Sequence, residues 1–214
     1  LDLMGLPADY SNPINIHPSV STKDPTEGNL KAIADRFYDG MVRCNDSVLK
    51  RLVIENEDKG CWNCMNLFVY FHQYMGHQHR HIMPLTYDNL HDKCNPSALQ
   101  ATTVTMEQNI DAFAKTWPDD VTPVFHWSNG KPDNKRSHAD FADGNPPEYD
   151  RPLIWEVEVK QKDFAIAKLQ GKTVTSKKKS KPKTSTSKPS VKKILKKIEK
   201  AAPKSTTFNH LYGQ

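Results

Sequence analysis

No stretch of the sequence approaches the ~18–20 consecutive apolar residues of a membrane-spanning helix. No secretory leader is visible in it either, so no membrane partner is expected. Cysteine is scarce: only Cys44, Cys61, Cys64 and Cys94 occur, and their spacings make no disulfide framework. Cys61-Trp-Asn-Cys64 has the spacing of half a zinc site. No second Cys or His pair follows at zinc-ribbon distance, so the two read as thiols near a helix start in a reducing compartment. Acidic residues nearly vanish from one stretch. Residues 171–207 hold 13 Lys and one acid, Glu199, a net of +12. The whole chain carries +5, so the remainder carries −7 (5 less 12). Hairpin signals between the apolar runs are missing too, which argues against an antiparallel β protein. At 214 residues the chain fits one domain, or a domain with a tail. It starts at Leu1 rather than Met, and an N-terminal piece is expected to precede it.

What is present is a recurring unit. Five short apolar segments each end in an acid or a histidine: Ile14-Asn15-Ile16-His17, Leu52-Val53-Ile54-Glu55, Leu85-Thr86-Tyr87-Asp88, Pro123-Val124-Phe125-His126 and Ile154-Trp155-Glu156-Val157-Glu158. The steps between the end residues are 38, 33, 38 and 32. A parallel barrel of ~250 residues spends roughly 30 on each of its eight βα units. Helical patterns fill the gaps. Residues 27–46 repeat Leu30, Ile33, Ala34, Phe37 and Met41 at helical spacing, and 62–75 do so with Met65, Leu67, Phe68, Phe71 and Met75. Pro96-Ser97 opens a third predicted helix running to Lys115. Asp163 caps a fourth, with Phe164, Ile166, Ala167 and Leu169 inside and Gly171 past its end. Strand and helix alternating in this way make an α/β protein with parallel strands.

Five strands do not close a barrel of eight. The expected fold is an incomplete parallel TIM-type (β/α) barrel of about five βα units over residues 1–170. An open five-stranded sheet is the structural alternative. The barrel is preferred because active sites sit at the carboxyl ends of barrel strands, and a ring brings strand-end ligands to one point where an open sheet spreads them along an edge. Residues 171–214 are expected to form a disordered basic tail, with too few apolar residues to offset ordering entropy. Within it, Ser190–Ala202 can form a basic amphipathic helix against a polyanion. Such a tail favours nucleic acid without sequence preference.

The strand ends carry the chemistry. Asp88-Asn-Leu-His91 sets a carboxylate at a strand end and an imidazole in the next loop, which suits divalent ions. His126 ends the following strand. His138 and Asp140 lie in the loop after it, where Gly130, Pro132 and Gly144 prevent regular structure. Glu156 and Glu158 are two apart and share a face, with Glu158 nearer the carboxyl end. Singly, such a histidine is more often a surface residue and such an acid a helix cap. A ligand at all five strand ends points to a shared metal centre. The other cluster, His72, His77, His79 and His81, reads as solvated or as balancing a helix dipole.

Five motifs occur in order: Leu52-Val-Ile-Glu-Asn-Glu-Asp58, Met83-Pro-Leu-Thr-Tyr-Asp-Asn-Leu-His-Asp-Lys-Cys-Asn-Pro96, Pro123-Val-Phe-His-Trp-Ser128, Arg136-Ser-His-Ala-Asp-Phe141 and Glu158-Val-Lys-Gln-Lys162. Together, over residues 12–170, they resemble the UV-damage endonuclease family. The resemblance implies a barrel related to endonuclease IV and xylose isomerase. It places the metal ligands on His17, Glu55, Asp88, His91, His126, His138 and Glu158. It implies two or three divalent ions, typically manganese, with zinc or magnesium as alternatives. The implied reaction nicks DNA on the 5′ side of ultraviolet photoproducts by hydrolysing a phosphodiester. Glu55, Asp88, His91, Glu158 and Lys160 are its expected catalytic residues. Glu55 bridges ions, Lys160 and Lys162 steady a phosphate, and Asn56 holds a ligand in place.

The implied partner is double-stranded DNA with UV lesions, its backbone also contacted by the tail, and the enzyme is expected to be a monomer. The expected location is the cytoplasm, at the nucleoid, or the nucleus in a eukaryote, where Lys177–Lys183 can serve import. Against the family pattern, about three strand–helix units ahead of His17 are missing, and one of them carries a further histidine ligand. Val124 stands where many members have a lysine, a departure that bears on a third ion. Two other readings fit the composition: a sugar or sugar-phosphate isomerase of the same barrel type, and a non-catalytic basic DNA-binding protein with a decayed barrel.

Overall fold

Thr26 opens the first helix by accepting a hydrogen bond from the Asn29 amide. In the computed structural model, which describes residues 1–99 and 102–173, this helix, α1 (Glu27–Met41), follows strand β1 (Ile14–Ile16) and buries Leu30, Ile33, Ala34 and Met41. The expected helix over 27–46 is cut short. Asn45 accepts from the Val48 amide and starts a separate turn, α2 (Asp46–Leu49). All four residues of β2 (Leu52–Glu55) are buried, as in a parallel strand covered on both faces. Asn63 caps α3 (Cys64–Asn66), which runs through a π-helical stretch, Leu67–Tyr74, into α4 (Met75–His79). Leu67, Phe71 and Met75 turn inward along it.

Strand β3 (Leu85–Thr86) leads to Asp88, which caps α5 (Asn89–Cys94). The predicted helix from Pro96 to Lys115 is replaced in its first half by an antiparallel pair, β4 (Ala98–Leu99) and β5 (Thr102–Thr103). The β-branched run Thr102-Thr103-Val104 favours extended backbone, and a capping box between Thr105 and Gln108 starts the helix only at α6 (Met106–Ala114). Strands β6 (Val124–Trp127) and β7 (Ile154–Val157) and helix α7 (Asp163–Leu169) complete the order. Helix α7 spans the residues expected of it without a side-chain cap, and within it Ala165 is buried whereas Phe164 and Ile166 are exposed. Gly171 follows it with φ 71°, a conformation glycine adopts without strain.

The strands run parallel in sequence order. β1 pairs with β2 and β2 with β3. The Asp88–His126 bridge and the His126 amide, which donates to the Tyr87 carbonyl at 2.8 Å, join β3 to β6. β6 then pairs with β7. Neighbours in space that are neighbours in sequence form a singly wound arc, the arrangement of a barrel wall, and closure into a full barrel is not seen among the described residues.

Register decides what each face of the arc carries. Glu55 lies opposite Thr86, Asp88 opposite His126, and His126 opposite Glu156. Since strand side chains alternate, Glu55, Thr86, Asp88, His126, Ser128, Glu156 and Glu158 share one face. The other face holds Ile54, Leu85, Tyr87, Phe125 and Trp155, packed under the helices with Phe71, Phe113 and Trp62. An edge-to-face ladder runs along it, from Phe113 to Tyr87, Phe125 and Trp155. Beyond residue 173 the tail, with its Ser190–Ala202 and Lys177–Lys183 segments, lies outside the described residues.

Candidate metal centre

Each expected ligand is held by backbone that its neighbours fix. Glu55 ends β2, and its carboxylate accepts from the Asn15 amide on β1. The Asn56 side chain clasps the next strand end, accepting from the Asp88 N–H at 2.8 Å and donating to the Asp88 C=O at 3.0 Å. Asn89 repeats the device one strand on, accepting from the Ser128 N–H at 2.7 Å and donating to the Ser128 C=O at 2.9 Å. A ligand followed by asparagine, Glu55-Asn56 and then Asp88-Asn89, thus ties each strand end to the following one. Asp88 also caps α5 through the His91 N–H at 2.7 Å, which swings the His91 ring back over Glu55.

The side chains meet. Glu55 Oε1 lies 3.1 Å from His91 Nδ1 and 3.2 Å from His126 Nδ1, and Glu55 Oε2 lies 3.6 Å from His17 Nε2. Asp88 is 3.9 Å from His91 and 4.0 Å from His126. Glu158 is 3.7 Å from His126 and 3.7 Å from His138. All seven residues, His17, Glu55, Asp88, His91, His126, His138 and Glu158, therefore form one connected cluster. Two donor sets stand out within it, His17–Glu55–His91 and Glu55–Asp88–His126, each with its ligand atoms within 4.8 Å of one another. Glu55 belongs to both.

Hydrogen bonds set two tautomers. His91 Nδ1 donates to the Asn56 carbonyl at 2.9 Å and His138 Nδ1 to the Glu158 carbonyl at 2.7 Å, so Nε2 is the atom that carries the lone pair whenever either ring is neutral. Burial opposes ionisation of Glu55, yet His126 and His91 outweigh it and hold the carboxyl far below the usual range. Burial also opposes protonation of His91 and His126, but Glu55 and the nearby carboxylates lift both to about 9. Asp88 is pushed up by burial, against the pull of His91.

Several buried polar atoms lack a hydrogen-bond partner: Asn15 Oδ1, Thr86 Oγ1, Asp88 Oδ2, His126 Nδ1 and Ser128 Oγ, all on the ligand face, and His81 Nε2 elsewhere. Buried polar groups are normally paired. Donors that converge at 3–4 Å without hydrogen-bond alignment suit a cation among them, and nitrogen and carboxylate donors suit manganese or zinc.

Lys160 stands apart. It is exposed, its backbone N–H donates to the Ala139 carbonyl at 3.0 Å, and its ammonium pairs with none of the cluster's carboxylates. Glu156, assigned no role from sequence, comes within 3.6 Å of His126 Nε2. Asn15, Thr86 and Ser128 were also missed. Each sits two residues from an expected ligand, and that spacing was the available signal. Of the other histidines, read as solvated or as balancing a helix dipole, His77 is exposed, and His77 and His79 stand in the last turn of α4. His79 pairs with Asp35 at 2.7 Å and stacks on Tyr38, and His72 lies 3.2 Å from the Met83 carbonyl. Cys61 and Cys64 are buried free thiols, in line with the plain reading of that pair.

The family model described as UV-endonuclease UvdE matches residues 1–187. The chain belongs to this family. The match extends beyond residue 170, where the resemblance read from motifs ends, into the lysine-rich segment. A UV DNA damage endonuclease of Nostoc sp. is 25% identical over 170 residues, 79% of this chain and 47% of that protein. The chain thus spans about half the length of the curated relative it matches. The structure titled "Crystal Structure of SacUVDE" shares the fold, with a TM-score of 0.57, 23% identity, and coverage of 81% of this chain and 55% of that one. In this UvdE family chain the arc corresponds to part of a larger fold, and the ligand cluster lies inside that part.

Proposed function

We propose that the chain forms the ion-binding part of a DNA-repair endonuclease that hydrolyses the phosphodiester on the 5′ side of a UV photoproduct, using two divalent cations, manganese by preference. The observation that carries this reading is the pair of donor sets sharing Glu55 on a face with unpaired buried ligand atoms, in a chain of the UvdE family. Glu55 Oε1 lies against both His91 and His126 and Oε2 against His17, so one carboxylate reaches both donor sets. Ions held there supply a water of lowered pKa as nucleophile and offset charge on the leaving oxygen. The protein's part is positional. Asn56 fixes Asp88, the Asn56 and Glu158 carbonyls orient His91 and His138, and Glu158 closes the cluster beside His138.

The test uses the gene product at full length with Mn²⁺ and end-labelled duplex, irradiated or not. A nick confined to irradiated DNA, 5′ to the lesion and abolished by EDTA or Glu55→Gln, is the expected result. Protein that binds Mn²⁺ yet leaves irradiated duplex intact overturns the reading.

A further inference from the structure

His17 is the most exposed ring of the two donor sets. Its side chain is 38% exposed, against 15% for His91 and 7% for His126. Strand β1 stops one residue before it, and α1 begins only at Glu27, so no helix start holds this ring as α5 holds His91. Pro18 keeps His17 extended. The chain then turns at Ser19, which stands at φ 56°. A non-glycine residue persists in this left-handed region where its surroundings impose it.

Glu57 imposes it here. The Ser19 N–H donates to Glu57 Oε1 at 2.8 Å, a hydrogen bond strengthened by the carboxylate charge. The Glu57 backbone is itself fixed. Its N–H donates to the Trp62 carbonyl at 2.9 Å, and its C=O accepts from the Asn95 side chain at 3.1 Å. Neighbouring contacts add to the hold: the Trp62 indole N–H donates to the Val20 carbonyl, and Ser21 Oγ lies so close to Gly60 that a Cβ there would meet it at 2.8 Å. The segment after His17 is thus laid along the loop after Glu55. The two wall an open cleft of about 580 Å³ into which His17 and His91 face. Among the described residues Glu57 enters no ion pair with a cluster histidine. Asp58 makes a similar tie to the loop of His138, since Arg136 Nε donates to the Asp58 carbonyl at 3.2 Å and lies 3.4 Å from its carboxylate. That ion pair is largely exposed and contributes little, so the inference stands on Glu57.

We propose that Glu57 is a positioning residue: it sets the turn at Ser19 and so aims the His17 ring at Glu55, completing the His17–Glu55–His91 site without itself holding an ion. The inference rests on the metal reading of the cluster and adds a residue outside the seven candidate ligands. Glu57 acts through the oxygen that accepts the Ser19 N–H. An amide oxygen can take over that hydrogen bond, whereas it replaces an ion-binding carboxylate poorly.

The test is Mn²⁺ uptake by the full chain, followed by titration and by electron paramagnetic resonance, with lesion nicking measured alongside. Glu57→Ala should weaken the ion at His17–Glu55–His91 about 10-fold, as loss of a ligand's supporting partner does, and leave the ion at Glu55–Asp88–His126 unchanged. At a Mn²⁺ level that just fills the parent, the spectrum should change from that of a coupled pair to that of an isolated ion. Glu57→Gln should stay close to the parent. Ser19→Gly relieves the turn of strain, so Glu57→Ala should cost less affinity in that background. Ser19→Pro removes the donor N–H from an exposed loop and should reproduce the loss, which keeps the test open if Glu57→Ala folds poorly. Unchanged uptake in Glu57→Ala or in Ser19→Pro overturns the role of Glu57. An equal loss in Glu57→Gln and Glu57→Ala also overturns it, since the carboxylate would then be a ligand. A parent that takes up no Mn²⁺ overturns the metal reading and this inference together. The expected variant pattern without a lesion nick keeps Glu57 in its role and removes the nuclease alone.

Discussion

Asn56 shows how much one uncharged side chain contributes. Its amide serves both the N–H and the C=O of Asp88, with all groups buried. Asn56→Ala leaves both unpaired and should cost about 2 kcal/mol of stability, read from denaturant midpoints. It should also weaken Mn²⁺ binding by roughly 10–100-fold, as loss of a ligand's supporting partner does. Unchanged Mn²⁺ affinity would remove Asn56 from the centre. His91 and His126 supply a pH signature. Their folded-state pKa values, near 9 against an ordinary 6.5, lie above those of the unfolded chain. Their contribution to metal-free stability is therefore complete below pH 6.5 and is lost as pH rises through 9. Metal must displace these protons, so Mn²⁺ affinity should rise over the same window. Melting scans in EDTA and in Mn²⁺ should then diverge as pH increases. Parallel scans would show that neither histidine is a ligand.

At the scale of elements, the candidate ligand His138 depends on a turn rather than on a strand. Its loop is tied by the Ala139 N–H to Asn129, by the Lys131 N–H to Ser137, and by the Gly130–His138 bridge. A Cβ at Gly130 would run into the backbone of Lys135. Gly130→Ala should therefore shift the loop, lower Mn²⁺ affinity by about 10-fold, within the range for lost support of a ligand, and leave most of the core intact. Mn²⁺ titration together with the melting midpoint checks both halves. Helix positions were legible in sequence where apolar residues repeated at helical spacing, as for α1. They were misjudged where local hydrogen bonding won, at the Asn45 cap that splits the first helix and at the Thr105–Gln108 box that delays α6.

At the scale of the whole molecule, an arc of five parallel strands ends at β1 and β7, whose outer edges are unpaired among the described residues and are open to association. Only part of a wall surrounds the ligands. The 214-residue chain alone is thus expected to nick irradiated DNA weakly or not at all. A turnover comparable with that of a full-length relative would contradict this. By itself the sequence determined the alternation of strand and helix and the acid or histidine at each of five strand ends, because strand-end position and spacing are local properties of the chain, whereas the full set of seven ligand candidates was what the family resemblance implied. Tertiary structure alone decided that Glu55 belongs to two donor sets, that Asn15, Thr86, Ser128 and Glu156 share its face, and that the Lys160 ammonium stays outside the cluster's ion pairs. Those outcomes depend on the register between strands far apart in sequence, and a shift of one residue would send every ligand to the opposite face.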